Sequence, residues 1–237
     1  MLEPGFYNMD CIQGMAQFPD KFFDLAIVDP PYGDGNQKIG GGVRFGGWFN
    51  RYKVEPIRGT VQQIQAPEPC RKKIIAWDVA PGDDYFRELF RVSRYQIIWG
   101  GNYFNLPPSR NFIVWRKLTI GENFSMAMAE YAWTNIVGNS KVFECAPQGT
   151  VKEVRFHPTQ KPVALYSWLL KRYAKPGYKI LDTHVGSASS LIACHRSGLK
   201  YWGFEIDETY YNAARERLDK EIAQVNINDL LEGGRRG

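Results

Sequence analysis

The sequence predicts an α/β fold with a mostly parallel, twisted sheet that is covered by helices on both faces. Short apolar runs of strand length alternate along the chain with longer amphipathic segments. This alternation is typical of strands that run parallel and are joined by crossover helices. In addition, two motifs of small, acidic or proline residues directly follow predicted strands. Ligands of parallel sheets bind at the carboxyl ends of the strands, so both motifs occupy the expected position of a site.

The individual elements follow from the apolar period and from the turn residues. Strands are expected at residues 24–29, 95–99, 111–115, 130–134, 178–181 and 201–206. Helices are expected at residues 83–92, 162–173, 189–196 and from 208 to about 224. Asp83 or Asp84 suits the N-cap of the first helix, and Pro162 suits the first turn of the second. Gly198 is a suitable stop for the third helix.

Length and composition favour one domain over residues 1–237, and they exclude several classes of protein. The hydrophobic fraction of 44% is ordinary for a globular protein. No apolar run approaches the roughly 18–20 residues that span a bilayer, and the N-terminus lacks a secretory signal. We therefore expect a cytoplasmic protein without a membrane segment. The four cysteines and three histidines are scattered, which argues against a metal site and a disulfide framework.

Positive charge is concentrated between residues 33 and 75. The net charge of the chain is +5, and this segment holds eight Lys and Arg residues against three acidic ones. It also contains glycine clusters and two large aromatic residues, Trp48 and Phe49, and it has little periodicity. We expect a long mobile loop, and loops of this length inside a compact domain are usually functional or disordered. The charge is compatible with a polyanionic partner.

The segment from Lys179 to Ser190 is predicted to form a strand, a turn and the start of a helix. Its turn of small residues, which includes Gly186, lets the backbone approach a ligand, and a helix N-terminus offers free amide groups. Glu205 ends the next predicted strand, 23 positions after Asp182, where an acidic residue can grip a ribose diol. A GxGxxG sequence is absent, which argues against a dinucleotide. The alternative is a tight turn without a ligand, with Glu205 as a surface acid.

The tetrapeptide Asp29-Pro30-Pro31-Tyr32 lies at the end of the first predicted strand. Prolines fix the backbone, so the turn presents a carboxylate, carbonyl oxygens and an aromatic face in a rigid arrangement. Such a site suits an aromatic amine, since Asp29 and the Pro30 carbonyl can accept its two N–H bonds and Tyr32 can stack on its ring. The alternative is a plain turn with a capping aspartate and a core tyrosine.

Together these motifs resemble those of the beta-class amino-methylating DNA methyltransferases of bacteria and phages. Asp29-Pro-Pro-Tyr-Gly33 resembles their catalytic signature, and Asp182-Thr-His-Val-Gly-Ser-Ala-Ser189 resembles their S-adenosylmethionine loop. Gly203-Phe-Glu-Ile-Asp207 is similar to their ribose-binding strand, and His157-Pro-Thr-Gln-Lys-Pro162 to the segment before the cofactor motif. The resemblance covers nearly the whole chain, with the catalytic motif first. It implies the Rossmann-like fold of S-adenosylmethionine-dependent methyltransferases.

The resemblance also implies roles for individual residues. The cofactor-binding set, which would hold S-adenosylmethionine, comprises Asp182, His184, Gly186, Ser187, Ser189, Glu205, Asp10 and Lys161. The implied catalytic set comprises Asp29, Pro30, Pro31 and Tyr32. The cofactor loop departs from the usual family pattern, because Thr183-His184 replaces Pro-Phe and Ala188 stands where a second glycine is common. Alanine is small, so we expect cofactor binding to survive this departure.

The implied activity is methylation of the adenine N6 amino group in DNA after base flipping. Asp29 at the head of the catalytic motif favours adenine, because the cytosine-N4 enzymes of the family usually carry serine there. Residues 33–75 would clamp the DNA, and residues about 100–155 would form a small target-recognition region. The expected DNA contacts are Arg44, Arg51, Lys53 and Arg116. So small a recognition region predicts short specificity or help from a second subunit, as in a homodimer.

Three alternatives stay open from the sequence. The enzyme could methylate cytosine N4, an RNA or a small amine. The chain could instead be a catalytically silent DNA- or nucleotide-binding module, a reading that the intact Asp29 and Tyr32 disfavour. A dinucleotide oxidoreductase is disfavoured by the missing GxGxxG. The motifs also resemble those of enzymes found in restriction–modification systems.

Overall fold

A computed structural model describes residues 1–33, 79–122, 127–147 and 155–233, with side chains up to residue 224. In this part of the chain eight strands form one sheet, and five α-helices and one short 3₁₀ helix accompany it. The strands are β1 Gly5–Asn8, β2 Phe23–Val28, β3 Ser93–Trp99, β4 Phe112–Lys117, β5 Ala129–Thr134, β6 Lys141–Cys145, β7 Lys179–Asp182 and β8 Lys200–Glu205. The helices are α1 Cys11–Met15, α2 Asp83–Val92, the 3₁₀ helix Gly101–Tyr103, α3 Val163–Tyr173, α4 Ser189–Arg196 and α5 Glu208–Gly233.

The order of the strands creates a crevice in the middle of the sheet. The order is β1-β8-β7-β2-β3-β5-β4-β6, and the strands from β1 to β3 are all parallel. From β7 the chain continues through α4 to β8 on one side, whereas from β2 it continues to β3 on the other side. A crevice forms where neighbouring strands lead in opposite directions, and such a switch point is the usual ligand site of an open α/β sheet.

Two layers of helices cover the sheet. Alternate residues of β2 point to opposite faces. Leu25 and Ile27 belong to a core cluster that includes side chains of α3, α4 and α5, whereas Ala26 and Val28 belong to a second cluster with α1 and α2. The α/β fold with a mostly parallel sheet and helices on both faces is therefore confirmed.

Most predicted elements are present within one or two residues of the expected bounds. Helices α2 and α4 match their predicted ranges. The expected cap of α2 is wrong, because the N-cap is Gly82 and no side chain makes the capping hydrogen bond. Pro162 precedes α3 as its N-cap instead of lying in the first turn. Gly198 follows the end of α4 with a positive φ of 63°, a conformation that glycine adopts without strain.

The elements that the sequence did not indicate are short or lie at the edges of the sheet. They are β1, α1 and β6, and β1 and β6 are the two edge strands. Residues 100–155, which were expected to form a target-recognition region, contribute β4, β5 and β6 to the sheet in their described part. Residues 34–75 of the expected basic loop lie outside the described residues. None of the described helices is both long and apolar enough to cross a bilayer.

Candidate active site

A cavity of about 710 Å³ opens at the crevice between the carboxyl ends of β7 and β2. Three segments that are distant in the sequence line it together: residues 29–32, residues 157–161 and residues 183–187. The ends of β1 and β8 contribute Asp10 and Glu205. The cavity therefore brings the two predicted motifs to one place, with one motif at each end.

At the β7 end, Asp182 joins the strand to the helix that follows it. Its Oδ1 accepts a hydrogen bond from the His184 amide at 3.0 Å, and its Oδ2 accepts one from the Ser190 hydroxyl. The carboxyl is buried. Burial raises its pKa to about 7, although the bonds from Ser190 and His184 act in the opposite direction. The Asp182 side chain therefore stabilises the turn between β7 and α4 through these two hydrogen bonds.

The turn itself needs two residues in the left-handed conformation. Gly186 has a φ of 54°, and Ala188 has a φ of 62° immediately before α4. Alanine is strained in this region because its Cβ approaches the following carbonyl oxygen. Arg217 of α5 spans the turn, because its Nη1 donates to the Ser187 carbonyl at 2.6 Å and to the Ser189 hydroxyl at 2.9 Å. The guanidinium thus supports the turn at the point where alanine replaces glycine.

Glu205 lies beside this turn, as its spacing in the sequence predicted. Its Oε2 accepts a hydrogen bond from the Gly186 amide at 2.9 Å, and its Oε1 accepts one from the Asp207 amide at 3.0 Å. Burial raises the pKa of this carboxyl. Each carboxylate oxygen has a second lone pair, so two backbone bonds leave it capacity to accept hydroxyl groups. Asp10 approaches the same end, and its Oδ1 also caps α1 through the amides of Ile12 and Gln13 at 3.0 Å.

Two histidines also line the β7 end of the cavity. His184 contacts the Thr183 hydroxyl through Nδ1 at 2.9 Å, and that hydroxyl in turn contacts Tyr85 at 2.6 Å. His157 packs edge-on against the ring of Tyr210, with 4.4 Å between the centroids. Burial lowers the pKa of each histidine to about 4. Both rings are therefore neutral at physiological pH.

At the β2 end, the Asp29 carboxylate is held by two donors. The Tyr32 hydroxyl donates to Oδ1 at 2.7 Å, and the Lys161 ammonium donates to Oδ2. The Tyr32 ring stacks on Tyr103, with centroids 4.6 Å apart and planes 13° from parallel. It also lies directly against the backbone of Gly100, where a Cβ would approach the ring to 2.1 Å. Packing therefore fixes both the carboxylate and the ring of the tetrapeptide.

Behind Asp29 lies a chain of alternating charges. Lys161, whose side chain is 3% exposed, also pairs with Oε2 of Glu130 at 3.0 Å. Oε1 of Glu130 pairs with Lys117 at 2.6 Å. Burial raises the pKa of Glu130, but Lys161 and Lys117 outweigh it and lower the pKa to about 2. Burial raises the pKa of Asp29, which faces one ammonium and the negative charge of Glu130.

The sequence interpretation did not include Glu130. It grouped Lys117 with the side chains of residues 100–155 that could read DNA bases, and it placed Lys161 with the cofactor. Glu130 lies near the start of β5, which runs antiparallel to β3. The amino end of an antiparallel strand lies at the same edge as the carboxyl ends of its parallel neighbours. Lys117 is buried at the end of β4, next to the exposed Arg116. A lysine in the inward register of an alternating strand was the signal that could have revealed it.

The expected DNA contacts are only partly described. Arg116 lies on the surface, where it pairs with Glu144 of β6 at 2.8 Å. Arg44, Arg51 and Lys53 lie outside the described residues, as do Trp48 and Phe49. Among the residues that the structure describes, no group of three His, Cys, Asp or Glu side chains is placed to hold a metal ion.

Comparisons with known proteins fit this geometry. Residues 114–216 match the model of a family described as DNA methylase, of the N6/N4 methyltransferase type. A protein of Escherichia coli K12 named as a methylase, YubD, is 24% identical over 237 residues, which cover 94% of this chain and 95% of that protein. The type II methyltransferase M.HpaI of Haemophilus parainfluenzae is 41% identical over 69 residues, which cover 28% of this chain and 21% of that enzyme.

Solved structures share the fold. TTHA0409 of Thermus thermophilus, named as a DNA modification methylase and solved with S-adenosyl-L-methionine, superposes with a TM-score of 0.53 at 17% identity, covering 91% of this chain and 93% of that one. The cytosine-N4-specific PvuII DNA methyltransferase superposes with a TM-score of 0.54 at 12% identity, covering 95% of this chain and 93% of that one.

Proposed function

Because residues 114–216 match the N6/N4 DNA methylase family, we propose that the chain is an amino-methylating DNA methyltransferase, which transfers a methyl group from S-adenosylmethionine to the N6 amino group of adenine in DNA. The observation that carries this proposal is the cavity that joins the cofactor turn to the Asp29-Pro30-Pro31-Tyr32 tetrapeptide. A methyltransferase needs the donor and the acceptor in one site, since proximity and orientation supply much of the rate.

The cofactor end suits S-adenosylmethionine by its charge. Three carboxylates, Asp10, Glu205 and Asp207, line this end of the cavity. They suit a ligand with a ribose diol and a cationic sulfonium, and they disfavour a pyrophosphate. S-adenosylmethionine, when bound, supplies an electrophilic methyl group. Glu205 would accept the ribose hydroxyls, and the turn around Gly186 would let the backbone approach the ligand.

The catalytic end suits an exocyclic amine. The lone pair of such a nitrogen is delocalised into the base, which makes it a poor nucleophile. Asp29 and the Pro30 carbonyl would accept its two N–H bonds and favour a tetrahedral nitrogen with its lone pair directed at the donor. Asp29 would also stabilise the positive charge that develops on this nitrogen. Its carboxylate needs no rearrangement, since Tyr32 and Lys161 already hold it.

Access to the base requires base flipping, because an amino group inside a duplex is stacked and paired. Tyr32 would stack on the extruded base, supported by Tyr103 behind it. Arg116 and the basic segment with Arg44, Arg51 and Lys53 would bind phosphates, which makes binding weaker at high salt. Residues about 100–155, or a second subunit, would read the neighbouring bases.

The choice of adenine over cytosine as the proposed target base rests on one residue, Asp29. The tetrapeptide begins with Asp29, and the sequence resemblance associates this residue with adenine. The likeness to the cytosine-N4-specific enzyme is one of fold only, so it does not argue for cytosine.

The test is to identify the product. The protein is incubated with DNA of mixed sequence and methyl-labelled S-adenosylmethionine, and the labelled nucleoside is identified by mass after digestion. We expect labelled N6-methyladenine with the native protein and far less of it with Asp29→Asn in the same time. N4-methylcytosine would overturn the choice of base. Absence of label in DNA, with cofactor binding shown separately, would overturn the proposed function.

A further inference from the structure

The charge chain of Asp29, Lys161, Glu130 and Lys117 is not explained by a gain in the free energy of folding. Lys161 and Lys117 are 3% and 7% exposed, and Glu130 and Asp29 are 23% and 14% exposed. Removing such ions from water costs several kcal/mol each, and well-packed apolar side chains in place of a buried ion pair are often as stable or more so. A chain of three further charges, two of them on buried lysines, next to the proposed catalytic carboxylate of Asp29 therefore points to a role in the site itself.

The strands explain how the four charges meet. Asp29 follows the carboxyl end of β2, Lys117 is the last residue of β4, and Glu130 lies near the start of the antiparallel β5. Lys161 comes from the segment before α3 and lies between the two carboxylates. Its ammonium also lies over the ring of Trp99, 5.5 Å from the centroid. The lysine is thus fixed from three sides and shared by two acids.

Because Lys161 pairs with two carboxylates, its electrostatic effect on Asp29 is weaker than that of a lysine in a single ion pair. An ammonium that paired with Asp29 alone would bind its lone pairs and oppose the positive charge that develops on the amine. Glu130 also pairs with the Lys161 ammonium, so part of the positive charge of the lysine is balanced by Glu130 and not by Asp29. Glu130 stays ionised in this position because Lys161 pairs with one of its oxygens at 3.0 Å and Lys117 with the other at 2.6 Å.

We propose that Glu130 is a positioning residue for the reaction, which acts through Lys161 and is held by Lys117 to keep the Asp29 carboxylate available to the amino group. This inference rests on the proposed function, since it assigns a role in the same reaction. Glu130 does not touch the acceptor in this scheme.

The direction of the electrostatic effect can be measured. The ionisable groups that interact with Asp29 are Lys161, Glu130, Tyr32, Tyr85, Tyr166 and Asp182. Of these, Glu130 raises the pKa of Asp29 and Lys161 lowers it. Glu130→Gln removes the first effect and leaves Lys161 to Asp29 alone. The pKa of Asp29 should therefore fall in this variant.

The experiment compares Glu130→Gln and Glu130→Asp with Glu221→Gln. Glu221 is a matched control because it is also a glutamate with little exposed side chain, 16%, in an ion pair: it pairs with Arg196 at 2.6 Å between α5 and α4, away from the cavity. Methyl transfer is measured in a single turnover with saturating cofactor and DNA, and cofactor affinity is measured by calorimetry. The titration of Asp29 is followed by carboxyl ¹³C NMR, assigned with Asp29→Asn, which needs no turnover.

We expect Glu130→Gln to lower the single-turnover rate by about 10–100-fold, with cofactor affinity unchanged. This is less than the roughly 10²–10⁴-fold contributed by a group that itself transfers the proton, because Glu130 acts through Lys161. Glu130→Asp should recover part of the rate, and Glu221→Gln should match the native protein. In a Lys161→Met background, Glu130→Gln should add little, because coupled residues are not additive. The proposal is overturned by an unchanged pKa of Asp29, by a native rate in Glu130→Gln, or by equal losses of rate and cofactor affinity. If the native protein methylated no DNA, the proposed function would be overturned instead. The titration of Asp29 would still show whether Glu130 acts on the Asp29 carboxylate through Lys161.

Discussion

The two ends of the cavity each contain an aspartate at the end of a central strand, but their surroundings differ. Asp182 is braced by the His184 amide and the Ser190 hydroxyl, both within eight residues of it. Asp29 is braced by Tyr32 nearby and by Lys161, which is 132 positions away. Burial raises the pKa of both carboxyls.

We infer from this difference that Asp182 has a structural role and that Asp29 acts in the reaction. The partners of Asp182 are neutral groups of its own turn, so its carboxyl shapes the backbone that would receive the cofactor. Asp29 belongs to a charge chain assembled from distant segments, so its ionisation depends on side chains that the rest of the fold brings in. We therefore expect changes at the two ends to affect different measured quantities.

The largest effect is expected for Asp29→Asn. Asparagine keeps an oxygen that accepts the Tyr32 hydroxyl, but it removes the negative charge next to the amine. Methyl transfer should fall by about 10²–10⁴-fold, while cofactor affinity is unchanged. Asp20→Asn serves as the control, since Asp20 is an exposed aspartate that pairs with Arg91 away from the cavity. Near-native turnover of Asp29→Asn would remove the distinction between the two ends.

Asp182→Asn should change the pH dependence of stability instead. The pKa of Asp182 is about 7 in the folded protein and about 3.9 in an unfolded chain. The folded state therefore binds the proton more tightly, and the native protein loses stability as pH rises from about 4 to about 7. The variant lacks this loss. Its free energy of unfolding relative to the native protein should rise by about 1.4 kcal/mol per pH unit within this window.

Urea unfolding of both proteins at several pH values between about 4.5 and 7.5 measures that difference across the window set by the two pKa values. His157 and His184, whose pKa values are lowered to about 4, act with the opposite sign. They are present in both proteins and cancel in the comparison. A difference that does not vary with pH would show that Asp182 is ionised throughout and that its burial has no such consequence.

Glu205→Ala should weaken the cofactor. Loss of charge-assisted hydrogen bonds costs about 1.5–3 kcal/mol, which corresponds to roughly 10–100-fold in the dissociation constant for S-adenosylmethionine. Calorimetry measures this constant, with Glu216→Ala as the control because Glu216 is an exposed glutamate on α5. Unchanged affinity would mean that the carboxylate serves only the Gly186 and Asp207 amides.

The smallest effect is expected for Ala188→Gly. The left-handed conformation at Ala188 costs about 1–2 kcal/mol, and glycine removes that cost while it increases the entropy of the unfolded chain. The net change should be a stabilisation of less than about 1 kcal/mol. Ala193→Gly is the matched control inside α4, where glycine should destabilise by about 1 kcal/mol. Thermal unfolding compares the two, and equal losses would contradict strain at Ala188.

The sequence predicted the geometry of the β7 end of the cavity because its parts are local. The strand, the turn and the helix of residues 179–196 are consecutive, and the spacing of Glu205 from Asp182 follows from one crossover. The structure brings Asp182, Gly186 and Glu205 together as this pattern indicates. The strain at Ala188 and its support by Arg217 were not predictable, since both depend on backbone angles and on α5.

The catalytic end was predictable only in its tetrapeptide. The three charges behind it come from β4, β5 and the segment before α3, and their meeting depends on strand order. Glu130 in particular comes from a strand that runs against its neighbours, so the rule that sites lie at carboxyl ends does not identify it. Short edge strands such as β1 were missed because few of their residues are buried.

The most direct test of the account is to titrate Asp29→Asn and Glu205→Ala with S-adenosylmethionine while single-turnover methylation of DNA is followed. We predict that Glu205→Ala approaches the native rate as the cofactor concentration rises, whereas Asp29→Asn binds the cofactor normally and stays slow at every concentration. If both variants lost affinity and rate in proportion, or if Asp29→Asn recovered at high cofactor concentration, the division of the cavity into a cofactor end and a catalytic end would be contradicted.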